Sequence, residues 1–193
     1  KITKLRNFVL NGETPITIPH YGDPVGYAVQ TYETDFEAEE LTADQAMYIR
    51  FEGADYIAYV YVNGDCVGTH EGFFSPFEFE ITDVIKPGRN HLRVVLKNDN
   101  IYMGTDDADG RTGLEGDKLY AATGIGYDDP KRGWHHCPPG MGIYNDVTVQ
   151  VRNKTHITDV FVRNCKEVWV EVQNAEVSAK NITMKLSVYG QNF

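Results

Sequence analysis

The sequence predicts an all-β protein folded as an antiparallel β-sandwich. Apolar and polar residues alternate along several short segments, which is typical of strands that bury one face. Asn63-Gly64 lies between two such segments, and it favours a tight hairpin because both central residues of a type I′ turn need positive φ. Lys86-Pro87-Gly88 indicates a second turn. The stretch from Tyr48 to Leu96, which contains both turns, shows no helical period.

The N-terminal part predicts one short strand, a loop and one long strand. Phe8-Val9-Leu10 is an apolar run that ends at the turn signal Asn11-Gly12. Residues 15–24 contain several prolines, so we expect a loop with an aromatic and charged tip. Residues 28–38 alternate and predict a strand, whereas residues 41–46 predict a short polar connection with weak helical character.

The middle of the chain predicts the sheets of the sandwich. One strand, a short break and a second strand lead into the Asn63-Gly64 turn. Beyond it, two further segments alternate between apolar and charged or polar residues, and their apolar positions are Phe77, Phe79, Ile81, Leu92, Val94 and Leu96. Residues 98–133 are rich in Gly, Asp and Asn and have little periodicity; a segment of this length is usually functional or disordered.

The C-terminal part predicts the end of one domain and the start of another. Val147, Val149 and Val151 alternate with polar residues and close the first domain, to which we assign residues 1–153. The alternation restarts after Thr155 and predicts three strands, with apolar positions at Val160, Val162, Val168, Val170, Val172, Ile182, Met184, Leu186 and Val188. An immunoglobulin-like sandwich needs about seven strands, so residues 154–193 predict an incomplete second domain.

Composition excludes several classes of function. The chain has 193 residues and a formal net charge of −10, which argues against nucleic acid because phosphates need a basic surface. No apolar run is long enough to span a membrane, and no signal peptide opens the chain, although a trimmed start at Lys1 would look the same. Cys66, Cys137 and Cys165 are odd in number and widely spaced, so they predict no disulfide framework. The compartment stays open.

A set of short motifs carries a family resemblance. They are Phe51, Glu52, Gly53 and Asp55; Val60, Val62, Asn63 and Gly64; Val67, Gly68, His70 and Gly72; Pro76, Phe77, Ile81, Thr82, Asp83, Pro87 and Gly88; and Met141 to Val147. In combination they resemble the N-terminal sugar-binding, galactose-binding-like jelly-roll domain of glycoside hydrolase family 2. This group includes β-galactosidases, β-glucuronidases and β-mannosidases. The resemblance covers roughly the first three quarters of the chain.

The resemblance implies an accessory module and not a complete enzyme. In that family an immunoglobulin-like domain follows the jelly roll, and a barrel with the two carboxylates needed for glycoside hydrolysis follows that domain. We therefore expect this chain to have no catalytic residue of its own, and to have carbohydrate and the missing catalytic barrel as partners. A periplasmic or secreted parent would fit. Two alternatives stay open: an independent carbohydrate-binding module, and a structural β-sandwich that binds no sugar.

Trp134-His135-His136 is the first candidate for a sugar-facing surface. An indole can stack on the apolar face of a pyranose, and imidazoles can exchange hydrogen bonds with hydroxyl groups. By the resemblance, a substrate-contacting position falls near His136. Two other interpretations are open: Trp134 caps the core beside surface histidines, or His135, His136 and Cys137 hold a metal.

Tyr21 and Asp23, on the proline-rich loop, are the second candidate by the same resemblance, with a turn and a solvated aspartate as the alternative. No cofactor is expected. The acidic segment from Thr105 to Gly110 leaves a structural calcium ion open, although its spacing misses the EF-hand register by one residue and a solvated loop explains it as well.

Overall fold

The structure is a computed structural model, and it describes residues 1–22, 29–98, 100–101, 117–118, 141–164, 166–174, 181 and 183. Every regular element in this part of the chain is a strand. The strands are β1 (Ile2–Leu5), β2 (Asn7–Leu10), β3 (Thr14–Thr17), β4 (Val29–Ala38), β5 (Gln45–Phe51), β6 (Ile57–Val62), β7 (Asp65–Glu71), β8 (Phe77–Glu80), β9 (Gly88–Lys97), β10 (Asn100–Ile101), β11 (Asp117–Lys118), β12 (Val147–Asn153), β13 (Thr155–Arg163) and β14 (Glu167–Asn174).

Two antiparallel sheets form the sandwich. One has four strands in the order β1-β12-β5-β8, and the other has six in the order β3-β2-β4-β9-β6-β7. A single cluster of buried apolar side chains includes residues from both sheets, such as Phe51 and Val149 from the first and Tyr32, Val60 and Leu96 from the second. The apolar residues that alternate along the sequence therefore face this core, and the polar residues between them face the opposite side of their sheet. The predicted all-β, antiparallel fold class is confirmed.

The turn that the sequence marks most strongly forms as expected. Asn63 and Gly64 have φ of 53° and 95° and connect β6 to β7. The Asn63 amide donates to the carbonyl of Val84 and to Oδ1 of Asn90, both at 2.8 Å. Asn90 is buried and also donates to the carbonyls of Lys86 and Gly88 at 2.7 and 2.8 Å. The buried side-chain amide of Asn90 thus links the turn at Asn63-Gly64 to the turn at Lys86-Pro87-Gly88.

Two local predictions are corrected by the structure. Residues 15–17, expected to lie in a loop, belong to β3, which pairs with β2 at the edge of the larger sheet. An edge position tolerates Pro15, because a proline cannot donate the hydrogen bond that a second neighbouring strand would need. Residues 41–44 form the predicted connection, with a turn closed by the hydrogen bond from Gln45 N–H to the carbonyl of Thr42 and without a helix. Its end differs from the prediction, because β5 already begins at Gln45 and pairs with β8 and β12. Pairing with neighbouring strands overrides the weak local helical preference.

The chain divides into two compact units, Lys1–Arg152 and Asn153–Phe193. The first contains the sandwich. Within the described residues, the second contains the antiparallel ribbon of β13 and β14, and its completion into an immunoglobulin-like domain stays a prediction. In the ranges that the structure describes, no helix is long and apolar enough to cross a membrane.

A charged network lies on the four-stranded sheet. Glu78 accepts hydrogen bonds from Arg152 at 2.6 and 2.7 Å and from Arg50 at 3.2 Å. The guanidinium of Arg152 also lies over the ring of Tyr48, 4.7 Å from its centre. Arg152 lowers the pKa of the Glu78 carboxyl, mainly through its hydrogen bonds and further through its charge, and Arg50 lowers this pKa as well. Partial burial acts in the opposite direction and is outweighed.

This network predicts a contribution to stability that acid removes. Folding lowers the pKa of Glu78. The ionised Glu78 carboxylate therefore stabilises the folded state at pH values above 4.5, the pKa of this group in the unfolded chain, and this stabilisation is lost as the pH falls through the folded-state pKa. We expect Glu78→Gln to lower the free energy of unfolding at pH 7 and to have a shrinking effect below pH 4.5. Urea unfolding at several pH values measures this. Glu13→Gln, at an exposed turn, is the control, and an equal effect of Glu78→Gln at pH 7 and pH 3 would contradict the prediction.

Candidate functional site

Three separate segments of the first unit are joined by backbone contacts. Gly22 forms an isolated antiparallel bridge with Met141, and Asp55 forms another with Gly142. The backbone N–H of His20 donates to the carbonyl of Ile143 at 2.8 Å. The end of the proline-rich loop and the Gly53–Asp55 segment are therefore both fixed to the backbone of residues 141–143. We call this arrangement the loop junction.

Asp55 is the centre of the loop junction. Its side chain is fully buried and accepts hydrogen bonds from the Tyr21 hydroxyl on Oδ2 at 3.0 Å and from the Asn98 amide on Oδ1 at 3.1 Å. Its backbone N–H donates to the carbonyl of Gly142 at 3.0 Å. A carboxylate is tolerated in such a buried place only when hydrogen bonds replace its hydration. Asp55 thereby ties the proline-rich loop, the end of β9 and the closing segment to one point.

A second hydrogen-bonded chain supports the same loop from inside. The Tyr32 hydroxyl, fully buried, donates to Gln30 Oε1 at 2.9 Å and lies 3.0 Å from Nδ1 of His20. Burial raises the pKa of Tyr32, with a further contribution from the charge of Asp55, so the hydroxyl stays protonated at neutral pH. His20 is thus held from its ring by β4 and from its backbone by Ile143.

Close backbone packing explains a glycine at position 142. A Cβ atom there would lie 2.3 Å from the carbonyl oxygen of His20 and 3.0 Å from Cα of Tyr21. Both neighbours are backbone atoms, which cannot rotate out of the way as a flexible side chain can. The distance between the proline-rich loop and the closing segment therefore requires a residue without a side chain.

Four aromatic side chains lie beside the loop junction. The Phe73 ring stacks on Tyr144 with centroids 4.7 Å apart, and Tyr21 meets both rings edge to face at 6.4 and 6.2 Å. The Tyr144 hydroxyl donates to the carbonyl of Phe73, and its ring occupies the space that a Cβ on Gly53 would need. Phe74 packs against Phe73 and stays 74% exposed. The junction thus carries a firmly supported aromatic rim.

The structure describes one of the five sequence-predicted site residues. Tyr21 is half-buried, with its hydroxyl engaged by Asp55 and its ring in the aromatic rim. Asp23, Trp134, His135 and His136 lie outside the described residues, as does the acidic segment from Thr105 to Gly110. Their roles therefore stay predictions. Within the ranges described above, no group of three or more His, Cys, Asp and Glu side chains could hold a metal ion.

Sequence reasoning did not find the parts that hold this site together. Asp55 and Gly53 belong to the strand-end motif, but their partners are 34 or more residues away in the chain. Tyr144 and Phe73 are 71 residues apart. The glycine of the closing motif was a usable signal, because a glycine between apolar residues often marks a close approach of two backbones.

Comparison with known proteins gives a consistent result. Residues 23–119 match the sequence profile of the family described as glycosyl hydrolase 2 galactose-binding domain-like. The chain is 33% identical to the β-galactosidase of Thermoanaerobacter pseudethanolicus over 150 residues, which are 75% of this chain and 17% of that protein. It is 26% identical to the β-galactosidase of Clostridium acetobutylicum over 172 residues, 88% of this chain and 16% of that protein.

The fold has solved counterparts as well. The β-glucuronidase of an uncultured Clostridium sp. superposes with a TM-score of 0.63 at 18% identity, covering 91% of this chain and 34% of that one. At such identity the likeness concerns the fold alone. The chain thus spans about a sixth of the length of the two curated relatives and about a third of the structural counterpart.

Proposed function

This chain belongs to the galactose-binding-like N-terminal domain family of glycoside hydrolase family 2, and on that basis we propose that it is a non-catalytic carbohydrate-binding accessory module of such an enzyme. In this proposal the hydrolysis of glycosidic bonds belongs to a barrel domain outside residues 1–193. The module contributes part of the wall around the sugar and a contact surface for that barrel.

The convergence at the loop junction carries this proposal. Tyr21, a predicted sugar-facing residue, is bound through Asp55 and the Gly22–Met141 bridge to the segment that follows the other predicted group, Trp134 to His136. His136 precedes Met141 by five residues in the sequence. The loop that carries Tyr21 and the closing segment from Met141 onward thus meet. A sugar needs such a meeting of segments, since it is recognised by an aromatic face together with polar groups from several directions.

The chemistry of the junction suits binding better than bond cleavage. Glycoside hydrolysis needs two carboxyl groups on opposite sides of the bond, both within reach of the substrate. Asp55 is fully buried and both of its oxygens accept hydrogen bonds from the protein. It therefore positions loops. The exposed ring of Phe74 and the half-buried rings behind it offer apolar faces of the kind that pack against the C–H groups of a pyranose.

Sugar binding by the isolated chain is the direct test. We expect lactose to shift amide NMR resonances around the loop junction, with a dissociation constant on the order of 1 mM, because a small ligand held by a few contacts gains about 4 kcal/mol. Trp134→Ala and His136→Ala should each weaken binding severalfold. His91→Ala, at an exposed position on the larger sheet, is the matched control.

The possible outcomes separate the proposal from its alternatives. Binding at micromolar concentration by this chain alone would favour an independent carbohydrate-binding module. The absence of any shift at high lactose concentration would favour a structural β-sandwich. Hydrolysis of a nitrophenyl β-galactoside by the isolated chain would contradict the non-catalytic assignment.

A further inference from the structure

A titratable side chain, His70, closes one edge of the sandwich core. It lies on β7 opposite the fully buried Ala58 of β6, so its ring shares the inner face of the larger sheet. There the imidazole stacks on Phe77 of β8, with ring centroids 4.1 Å apart and planes 11° from parallel. Phe77 stacks in turn on Phe51 of β5, at 4.8 Å and 10°. These three rings, which we call the ring stack, join the edge strand β7 to the four-stranded sheet.

One nitrogen of the His70 ring is buried without a hydrogen bond. Nε2 is closed to solvent, and no donor or acceptor in the described part of the chain pairs with it. The backbone of Gly72 lies beside it, since a Cβ atom on Gly72 would be 3.4 Å from Nε2. In a protonated imidazole both nitrogens are N–H donors and the ring is charged. Protonation would therefore bury a charged donor without an acceptor, which costs more than burying a neutral unpaired nitrogen.

Charged neighbours do not offset this cost. The ionisable residues of the strands around the ring are Asp65, Cys66 and Glu71 on β7, Tyr59 and Tyr61 on β6, Tyr48 and Arg50 on β5, and Glu78 and Glu80 on β8. Those next to the ring stack in sequence, Glu71, Glu78 and Arg50, alternate with its members and lie on the opposite face of their strands. Burial alone lowers the pKa of the His70 imidazole below its ordinary value of 6.5.

The segment that follows His70 carries part of the aromatic rim. Gly72, whose backbone packs against the His70 ring, has φ of 144°, a conformation that favours glycine. Phe73 comes next, and its carbonyl accepts the hydrogen bond of the Tyr144 hydroxyl. Phe74 is the exposed end of the rim. A displacement of the His70 ring therefore acts on the backbone that positions both phenylalanines.

We propose that His70 is a pH-sensitive lock for the aromatic rim. The neutral ring completes the ring stack and holds residues 72–76 against the sandwich. The protonated ring leaves the stack for water, and residues 72–76 open with it. Because the open form binds the proton more tightly than the closed form, the ratio of open to closed molecules rises as the pH falls below 6.5, by at most about tenfold per pH unit for one proton.

Hydrogen exchange of the amides of residues 72–75 at pH 7 and pH 5, corrected for the intrinsic exchange rates, measures this opening. We expect it to rise severalfold at pH 5 in the unsubstituted chain. His70→Phe keeps a flat ring in the stack but cannot titrate, so its opening should not change with pH. His70→Leu, which also cannot titrate, gives the same reading if the larger ring does not fit. His91→Phe, the same replacement at an exposed position, should retain the rise.

An NMR titration of the His70 ring tests the physical cause. A cation is also attracted to the face of a phenyl ring, so Phe77 favours the charged imidazole while burial of Nε2 opposes it. We expect His70 to titrate below 6.5. A pKa above this value would show that the attraction prevails and would overturn the lock.

Two exchange results would overturn the proposal as well. One is an opening in His70→Phe that depends on pH as strongly as in the unsubstituted chain. The other is the loss of this dependence in His20→Gln with its retention in His70→Phe, because the imidazole of the loop junction would then be the switch. No sugar takes part in these measurements, so their outcome is independent of the proposed function.

Discussion

Asp55→Ala is expected to lower the free energy of unfolding of the first unit by about 3 kcal/mol, the cost of leaving buried polar partners without their charged acceptor. The substitution removes the acceptor of Tyr21 and Asn98 from a fully buried position. For a domain of this size the loss corresponds to a fall in melting temperature of about 6 to 12 °C. Thermal unfolding followed by circular dichroism measures it.

Asp35→Ala is the matched control for Asp55. Asp35 also accepts hydrogen bonds from side chains, those of Arg89 and His91, but it lies at the surface of the larger sheet. Exposed ion pairs contribute about 1 kcal/mol or less, so this variant should melt close to the unsubstituted protein. If the two variants lose the same stability, Asp55 is not the fastening point that its hydrogen bonds indicate.

The consequence of Asp55→Ala for binding is separate from its consequence for stability. Since Asp55 contacts Tyr21 and the backbone of Gly142, its removal loosens the loop junction even at temperatures where the sandwich stays folded. We expect lactose affinity at 15 °C to fall severalfold while the circular dichroism spectrum is unchanged. A variant that is folded and binds lactose normally would show that the junction does not shape the sugar site.

Gly142→Ala is expected to cost about 3 kcal/mol, at the upper end of what overpacking a rigid site usually costs. The new methyl group would lie 2.3 Å from the carbonyl oxygen of His20, and backbone on both sides must move apart to admit it. The movement would break the hydrogen bonds from His20 N–H to Ile143 and from Asp55 N–H to Gly142. Urea unfolding gives the loss of stability, and lactose titration gives the loss of binding.

Gly12→Ala separates this steric effect from the general cost of replacing a glycine. Gly12 has φ of +78°, and no atom lies within 4 Å of the position where its Cβ would be. Its replacement costs only the backbone strain of the left-handed region, about 1 kcal/mol, and should leave lactose binding intact. If Gly142→Ala costs no more than Gly12→Ala, the two segments are not in the tight contact that the structure describes.

The hierarchy of contacts at the loop junction is the one that the proposed sugar site requires. The groups with the most hydrogen bonds, Asp55 and Tyr32, are fully buried, whereas the aromatic rim in front of them is partly exposed. A binding site formed by loops needs buried supporting groups behind its exposed contact residues, because loops gain a defined shape only when buried groups fix them. The immediate neighbours of a ligand can then be substituted with a loss of affinity and little loss of stability, whereas the buried supports cannot.

The sequence alone determined the fold class, the positions of most strands and the family. Alternation of period two reports directly which face of a strand meets the core, and Asn63-Gly64 reports a turn because few other residues accept its φ values. These signals come from residues that are neighbours in the sequence, so they can be read without knowing which distant segments the strand or turn will contact. The prediction for residues 15–17 was wrong for the same reason: the prolines indicate a loop locally, and only pairing with β2 reveals an edge strand.

Only the tertiary structure determined how the candidate site is held. The sequence offers many carboxylates of similar appearance, and nothing local distinguishes Asp55 from the exposed Asp35. What separates them is burial and the identity of neighbours that lie tens of residues away, such as Tyr21 and Asn98. The energy of a polar group depends on whether water or protein surrounds it, and that surrounding is created only when the sheets close on each other.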